Sequence, residues 1–279
     1  MSRTADDAVR AAVRETYSRI AESDSAGSDG GGCCSPSAPS AASCCDSSPT
    51  QLDSTLLGYT DDDLAAVPDG ADLGLGCGNP GAIAAMTPGE TVLDLGSGAG
   101  FDAFLAARAV GSTGRVIGVD MTPAMVSKAR ANAEQGGYDN VEFRLGEIEH
   151  LPIADGIIDV IISNCVINLS PDKAAVFADA YRVLRPGGRL AISDVVASAE
   201  LPDELRSDVG LYSGCVAGAS LITDLRTMLL EAGFEHVVIA PKDESKSFIE
   251  QWAPGRSVTD YVVSATIEAV RPPAHPGCC

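Results

Sequence analysis

Nine cysteines carry most of the reactive chemistry in this 279-residue sequence: Cys33, Cys34, Cys44, Cys45, Cys77, Cys165, Cys215, Cys278 and Cys279. No Cys-x-x-Cys occurs, so the common zinc-ribbon spacing is absent. Six of the nine form adjacent pairs in polar stretches, whereas Cys77, Cys165 and Cys215 stand singly inside the region that reads as folded. In a reducing compartment a disulfide framework is disfavoured, which raises metal binding and thiol redox chemistry. The other chemical signal is Thr91-Val-Leu-Asp-Leu-Gly-Ser-Gly-Ala-Gly-Phe-Asp102. Gly96, Gly98 and Gly100, around Ser97, let a backbone turn tightly and approach a ligand. Asp94 precedes the glycines inside an apolar run, and a second apolar run ends at Asp120-Met121. An acid at that place holds both ribose hydroxyls of an adenosine cofactor. Further on, Gly146-Glu147-Ile148 offers an acidic and an apolar side chain that could flank an adenine.

These residues need elements to position them. Apolar runs over Thr91–Leu95, Arg115–Val119, Val141–Leu145, Ile157–Ser163 and Arg189–Ser193 read as strands. Helical periodicity falls between them at Phe101–Ala109, Pro123–Gln135 and Pro171–Leu184, the last two opened by Thr122 and Ser170 as N-caps before proline. A helix over Leu221–Ala232 and strands near His236–Ala240 and Val258–Ile267 complete the pattern. Alternation of this kind predicts an α/β fold, a mostly parallel seven-stranded sheet with helices on both faces. Ahead of it, residues 5–22 form an amphipathic helix, and residues 25–50, almost all Ser, Gly, Ala, Pro, Cys and Thr, read as a mobile, cysteine-rich linker. The expected organisation is a helix and linker over 1–59, a Rossmann-like cofactor domain over 60–195, an insertion with the end of the sheet over 196–270, and a frayed Pro-rich tail over 271–279.

Composition excludes whole classes of partner. With 39 acidic and 19 basic residues the net charge is −20, which repels nucleic acid and anionic membranes. No apolar run approaches the roughly 18 residues of a membrane span, and no signal peptide opens the chain, so a cytoplasmic location is expected.

The ordered set of Asp94, the glycine string, Asp120 and Leu184-Arg-Pro-Gly-Gly188 resembles the class I S-adenosylmethionine-dependent methyltransferases. A dinucleotide-binding dehydrogenase competes, but the acid inside the first strand and the Pro-Gly-Gly turn disfavour it. In a class I fold the acceptor lies above the carboxyl ends of the strands. Asn164 and Cys165 leave the fourth strand there, Cys77 precedes the first strand, and Cys215 follows the fifth.

A closer likeness follows. Gly70-Ala-Asp-Leu-Gly-Leu-Gly-Cys-Gly-Asn-Pro80, Ile117-Gly-Val-Asp-Met-Thr-Pro123 and Ile162-Ser-Asn-Cys-Val-Ile-Asn-Leu-Ser-Pro-Asp-Lys173 resemble the arsenite S-adenosylmethionine methyltransferase family. The likeness implies that Cys77, Cys165 and Cys215 bind trivalent arsenic as substrate, with a fourth cysteine from the linker. Cys33, Cys34, Cys44 and Cys45 compete for that role, and Cys44 or Cys45 is preferred as nearer the folded region. Arsenite and methylarsenite are the implied substrates, mono- and dimethylated arsenicals the products, and thioredoxin or glutathione the reductant. Thiolates suit soft trivalent arsenic, whose exposed lone pair needs no general base. A class I methyltransferase acting on carbon or oxygen of a small metabolite, with structural cysteines, is the alternative. A non-enzymatic metalloid scavenger is a further one, which the intact glycine loop opposes.

Overall fold

A computed structural model describes residues 3–23, 52–206 and 208–274. The linker and its Cys33, Cys34, Cys44 and Cys45, together with Cys278 and Cys279, lie outside the described residues. Seven strands form one sheet: β1 Thr91–Leu95, β2 Arg115–Asp120, β3 Val141–Leu145, β4 Ile158–Asn164, β5 Leu184–Ala197, β6 Glu235–Lys242 and β7 Val262–Val270. Their spatial order is β3-β2-β1-β4-β5-β7-β6. All pairings are parallel except those of β7, which runs antiparallel to both β5 and β6.

The helices are α1 Arg3–Ser23, α2 Asp61–Ala65, α3 Gly81–Ala84, α4 Phe101–Val110, α5 Pro123–Gly136, α6 Lys173–Val183, α7 Asp203–Arg206, α8 Val209–Ser213, α9 Ile222–Glu231 and α10 Lys246–Ile249. Strand residues alternate between two cores, as a period of two requires. Val92, Val116, Val160 and Ile162 pack with Phe104 of α4 and Val126 of α5. Leu93, Ile117, Ile161 and Ile192 pack with Phe177 of α6 and Leu229 of α9. Helices thus cover both faces, and the chain reverses direction across the sheet between β1 and β4. At such a switch point the carboxyl ends of the strands leave a crevice for ligands. A third apolar cluster, with Val13, Leu57, Tyr59, Val195, Leu211 and Phe248, caps that end and holds all three single cysteines.

Several expected boundaries move, each for a visible reason. α6 starts at Lys173, because the Asp172 carboxylate accepts from Ala175 N at 3.0 Å while the Ser170 hydroxyl turns away to Glu149. Thr122 does sit at the α5 N-cap, though without a side-chain cap bond. β5 extends beyond Arg189–Ser193 to 14 residues, since β4 and β7 pair along its two edges. Residues Val258–Asp260, expected in the last strand, form a 3-10 turn before β7. The boundary expected between 195 and 196 falls inside β5. The frayed tail was expected from residue 271, yet Arg271 is anchored. Its guanidinium donates to the carbonyls of Tyr181 and Leu184 and lies 4.5 Å over the Tyr181 ring.

Candidate active site

A deep cleft opens at the switch point, and its wall is the glycine turn. Gly96, Gly98 and Gly100 all have positive φ. A Cβ on Gly96 would fall 2.1 Å from Val166, whereas one on Gly98 would meet no protein atom and would project into free space. Gly98 therefore leaves room for a ligand against bare backbone. Gly100 lies beneath the cleft, where a Cβ would meet Phe104 and Phe143. Asp120 closes the end of β2, its Oδ2 accepting from Gly98 N at 3.0 Å and its Oδ1 from Thr122 N at 2.8 Å. Met121 and Ile148 supply apolar wall. Glu147, expected beside them, is not brought to the cleft. It faces Arg10 and Arg14 on the outside, and Glu149 two residues later takes the wall position.

The electrostatics of the cleft select a ligand. Among the described residues, Asp72, Asp94, Asp102, Asp120 and Glu149 line it against one cation, Arg10. Burial, then the neighbouring Asp102 and Asp120, push the Asp94 carboxyl well up. Asp94 Oδ2 and Ser97 Oγ are buried without a partner, and such atoms are costly unless a ligand satisfies them. An acidic cleft with an orphaned carboxylate oxygen fits a ligand carrying an ammonium and a sulfonium, and repels the pyrophosphate of a dinucleotide. S-adenosylmethionine has those groups, so the residues present fit it.

Cys77, Cys165 and Cys215 converge next to this cleft, and all three are buried. Cys165 lines the cleft itself, and its thiol lies close enough to those of Cys215 and Cys77 to interact with both. The ligand atoms of Cys77, Cys165 and Asp194 lie within 4.8 Å of one another. Cys215 Sγ donates to the Cys165 carbonyl at 2.7 Å, and Cys77 Sγ to the Ser193 carbonyl at 3.6 Å. Cys165 and Cys215 adopt φ of 58° and 64°, the left-handed region that side chains other than glycine, asparagine and aspartate rarely occupy. Such strain persists only where the surroundings over-determine it. Here Asn168 does so: its buried Nδ2 donates to Val195 O at 2.6 Å, Asp194 Oδ1 at 2.9 Å and Cys215 O at 3.3 Å. Asn164 performs the same service for Cys77, its Oδ1 accepting from Cys77 N at 3.0 Å and its Nδ2 donating to Gly78 O at 2.7 Å.

Interaction with those two thiols, and burial, raise the Cys165 thiol well above its ordinary range, and burial pushes Cys77 up to about 11. Both are neutral thiols near pH 7. Burial also lifts Asp194 to about 6.

Sequence reasoning missed the roof. It placed the first helix but gave it no task, whereas Arg10, Val13 and Tyr17 of α1 line the cleft. Arg10 Nη2 bonds Glu149 Oε1 at 3.0 Å, and Ser170 Oγ donates to the same oxygen at 2.7 Å. The signal available was the buried stripe of the helix, which continues past Val13 to Ile20 and Ala21.

Three comparisons with known proteins bear on this site. A methyltransferase domain family matches residues 86–233. An arsenite methyltransferase of Halobacterium salinarum is 59% identical over 94% of this chain and 66% of its own length. An arsenite methyltransferase of Aquipseudomonas alcaligenes is 49% identical over 57% of this chain, which spans 47% of it. The chain is thus shorter than these curated relatives, spanning under two thirds of each. Among solved structures, an arsenic(III) S-adenosylmethionine methyltransferase from Chlamydomonas reinhardtii is 34% identical with a TM-score of 0.58. That match covers 83% of this chain and 76% of the other.

Proposed function

The chain belongs to the arsenite S-adenosylmethionine methyltransferase family, and on that premise we propose that it transfers the methyl group of S-adenosylmethionine to trivalent arsenic held by Cys77, Cys165 and Cys215. The observation that carries this reading is the gathering of three buried thiols, from segments far apart in the chain, beside a cleft built for a cationic ligand.

S-adenosylmethionine, when bound, supplies an electrophilic methyl group. Asp94 and Ser97 offer their free oxygens to its polar end, Asp120 takes the ribose hydroxyls, and Met121 with Ile148 flank the adenine. The three thiols exchange with the hydroxyls of arsenous acid, releasing three waters, and so need no base to deprotonate them. Three sulfur ligands leave arsenic pyramidal, with its lone pair exposed. Cys165 sits where the thiol centre opens onto the cleft, so orientation and exclusion of water are the contribution of the protein. No histidine is needed, and among the described residues none lines the cleft. Methyl transfer removes two electrons from arsenic. Two of the cysteines return them by leaving as a disulfide, which a thiol such as glutathione or thioredoxin then reduces. Methylarsenite needs fewer sulfur ligands and enters as second substrate. Cys44 or Cys45, outside the described residues, is the proposed fourth thiol.

A reduced compartment keeps the thiols free, which supports a cytoplasmic location, and among the described residues no helix is long and apolar enough to cross a membrane. The test is direct: purified protein with isotopically labelled methyl donor, arsenite and thiol, with methylated arsenic sought by mass spectrometry. Labelled carbon or oxygen products without methylated arsenic would replace this reading by a metabolite methyltransferase.

A further inference from the structure

A second cavity adjoins the cysteine centre and meets the cofactor cleft beneath α1, where both share Val13 and Ser170. Its walls are α1, the end of β5 at Ala197, and the segment Ala217–Leu221 that directly follows Cys215. Its volume is about 490 Å³, within reach of a ligand of tripeptide size. Lys173, in the first turn of α6, lines it; burial disfavours its ammonium, and the nearby Asp194 carboxylate acts in the opposite sense. The hydrogen bond described for that ammonium is a long one, 3.5 Å to the carbonyl of Ser170, too long to satisfy a charge removed from water. The rim carries both signs, with exposed Arg206 beside exposed Glu200 and Asp224, while Asp208 is engaged by Arg256 at 2.5 Å.

We propose that this cavity binds the reducing co-substrate, a small zwitterionic thiol whose carboxylate meets Lys173 and whose sulfur faces Cys215. The inference rests on the methylation reading above, which leaves a disulfide to be reduced once per transfer. Cys165 and Cys215 are 5% and 2% exposed, so the folded surface of a protein dithiol does not reach them, whereas the cavity, whose wall residues Tyr212 and Ala217 flank Cys215 in the chain, brings a small thiol to within one layer of side chains of that sulfur. The rim acids accept the ammonium of the ligand. Two thiols complete the step. The first attacks the Cys215 sulfur, forming a mixed disulfide and releasing the partner cysteine with the proton. The second displaces Cys215 as a thiol and leaves as the oxidised dimer.

The probe is S-methylglutathione, which binds without redox chemistry or arsenic. Calorimetry on the full chain is expected to show binding that Lys173→Glu weakens at least tenfold and Lys173→Arg preserves. Ala219→Asp, on the same wall, should also weaken it, which guards against a Lys173 variant that fails to fold. In the methylation assay Lys173→Glu should raise the half-saturating concentration of glutathione by a similar factor and shift that of neutral dithiothreitol less than twofold. Absence of binding to the wild type, equal shifts for the two thiols, or turnover supported by thioredoxin but not by glutathione overturns the proposal. Lys173-dependent binding in a protein that methylates no arsenic with any thiol would instead overturn the methylation reading and leave the anion site standing.

Discussion

Asn168→Ala tests whether the cysteine centre is pre-organised. The side chain is 1% exposed, and its Nδ2 donates to Val195 O, Asp194 Oδ1 and, more weakly, Cys215 O. A buried bond to a carboxylate is worth about 1.5–3 kcal/mol and a neutral one about 0.5–1.5. Losing one of each, with no water to replace them, costs roughly 2–4 kcal/mol. At about 2–4 °C per kcal/mol in a protein of this size, the melting temperature should fall by roughly 5–15 °C. The second consequence concerns the ligand. Left-handed backbone at Cys165 and Cys215 stores on the order of 1 kcal/mol each, and Asn168 ties the two turns together. Freed of it, the turns relax, and arsenic binding must restore them at a cost of about 1–2 kcal/mol. That predicts arsenite affinity weaker by about 5–30-fold. S-adenosylmethionine affinity should not change, because Asn168 is absent from the walls of the cofactor cleft. Calorimetric titration with arsenite and with the cofactor, alongside thermal unfolding, reads all three. A protein that melts early yet binds arsenite as tightly as wild type would refute the argument and reduce the network to ordinary core support.

Cys165→Ser and Cys215→Ser should each abolish methylation of arsenite and of methylarsenite with the fold intact, whereas Cys77→Ser should lose arsenite but retain part of its turnover on methylarsenite. Wild-type turnover of methylarsenite by Cys165→Ser would move the acceptor site elsewhere. Asp120→Ala should weaken S-adenosylmethionine by about 1–3 kcal/mol and spare arsenite binding, both measurable by calorimetry. Arg10→Ala strips Glu149, 4% exposed, of its cation, and should accelerate cofactor release several-fold in stopped-flow experiments; an unchanged rate would separate α1 from the site. The pH profile follows from the neutral thiols. Burial holds Cys77 near 11, so this thiol is protonated before binding, and exchange with arsenous acid liberates water rather than protons. Arsenite affinity should accordingly be flat from about pH 6.5 to 8, and a tenfold gain per pH unit in competition titrations would mean that a thiolate is the binding species.

Period and punctuation made much of this molecule legible. β1 is an apolar run ended by glycine and buried along most of its length, and β3 alternates apolar and charged residues before a glycine, so both fall where the pattern puts them. The ends of β5 and β7 were obscure because their extent is fixed by pairing with each other, a non-local property that no window of residues contains. The glycine turn and Asp120 were readable because each performs a local task. Glu147 and Glu149 were not distinguishable, being acids two apart on one loop. What separates them is which one faces Ser170 and Arg10 across more than 20 and 130 residues of sequence. The roof formed by α1 was hidden likewise: its apolar stripe announces a buried face and says nothing of what lies beneath.

The left-handed cysteines set stability against use. At φ of 58° and 64° glycine is more comfortable than cysteine, since it has no Cβ to crowd the carbonyl. Selection for heat tolerance alone, in the laboratory or in a lineage no longer exposed to arsenic, would therefore reward Cys165→Gly and Cys215→Gly and discard the ligands. The fold would survive, with its cofactor cleft unaltered, and descendants of this chain could persist as methyl-donor-binding proteins with nothing left to methylate. Cysteine at both positions, despite the backbone strain, is what the proposed arsenic site requires.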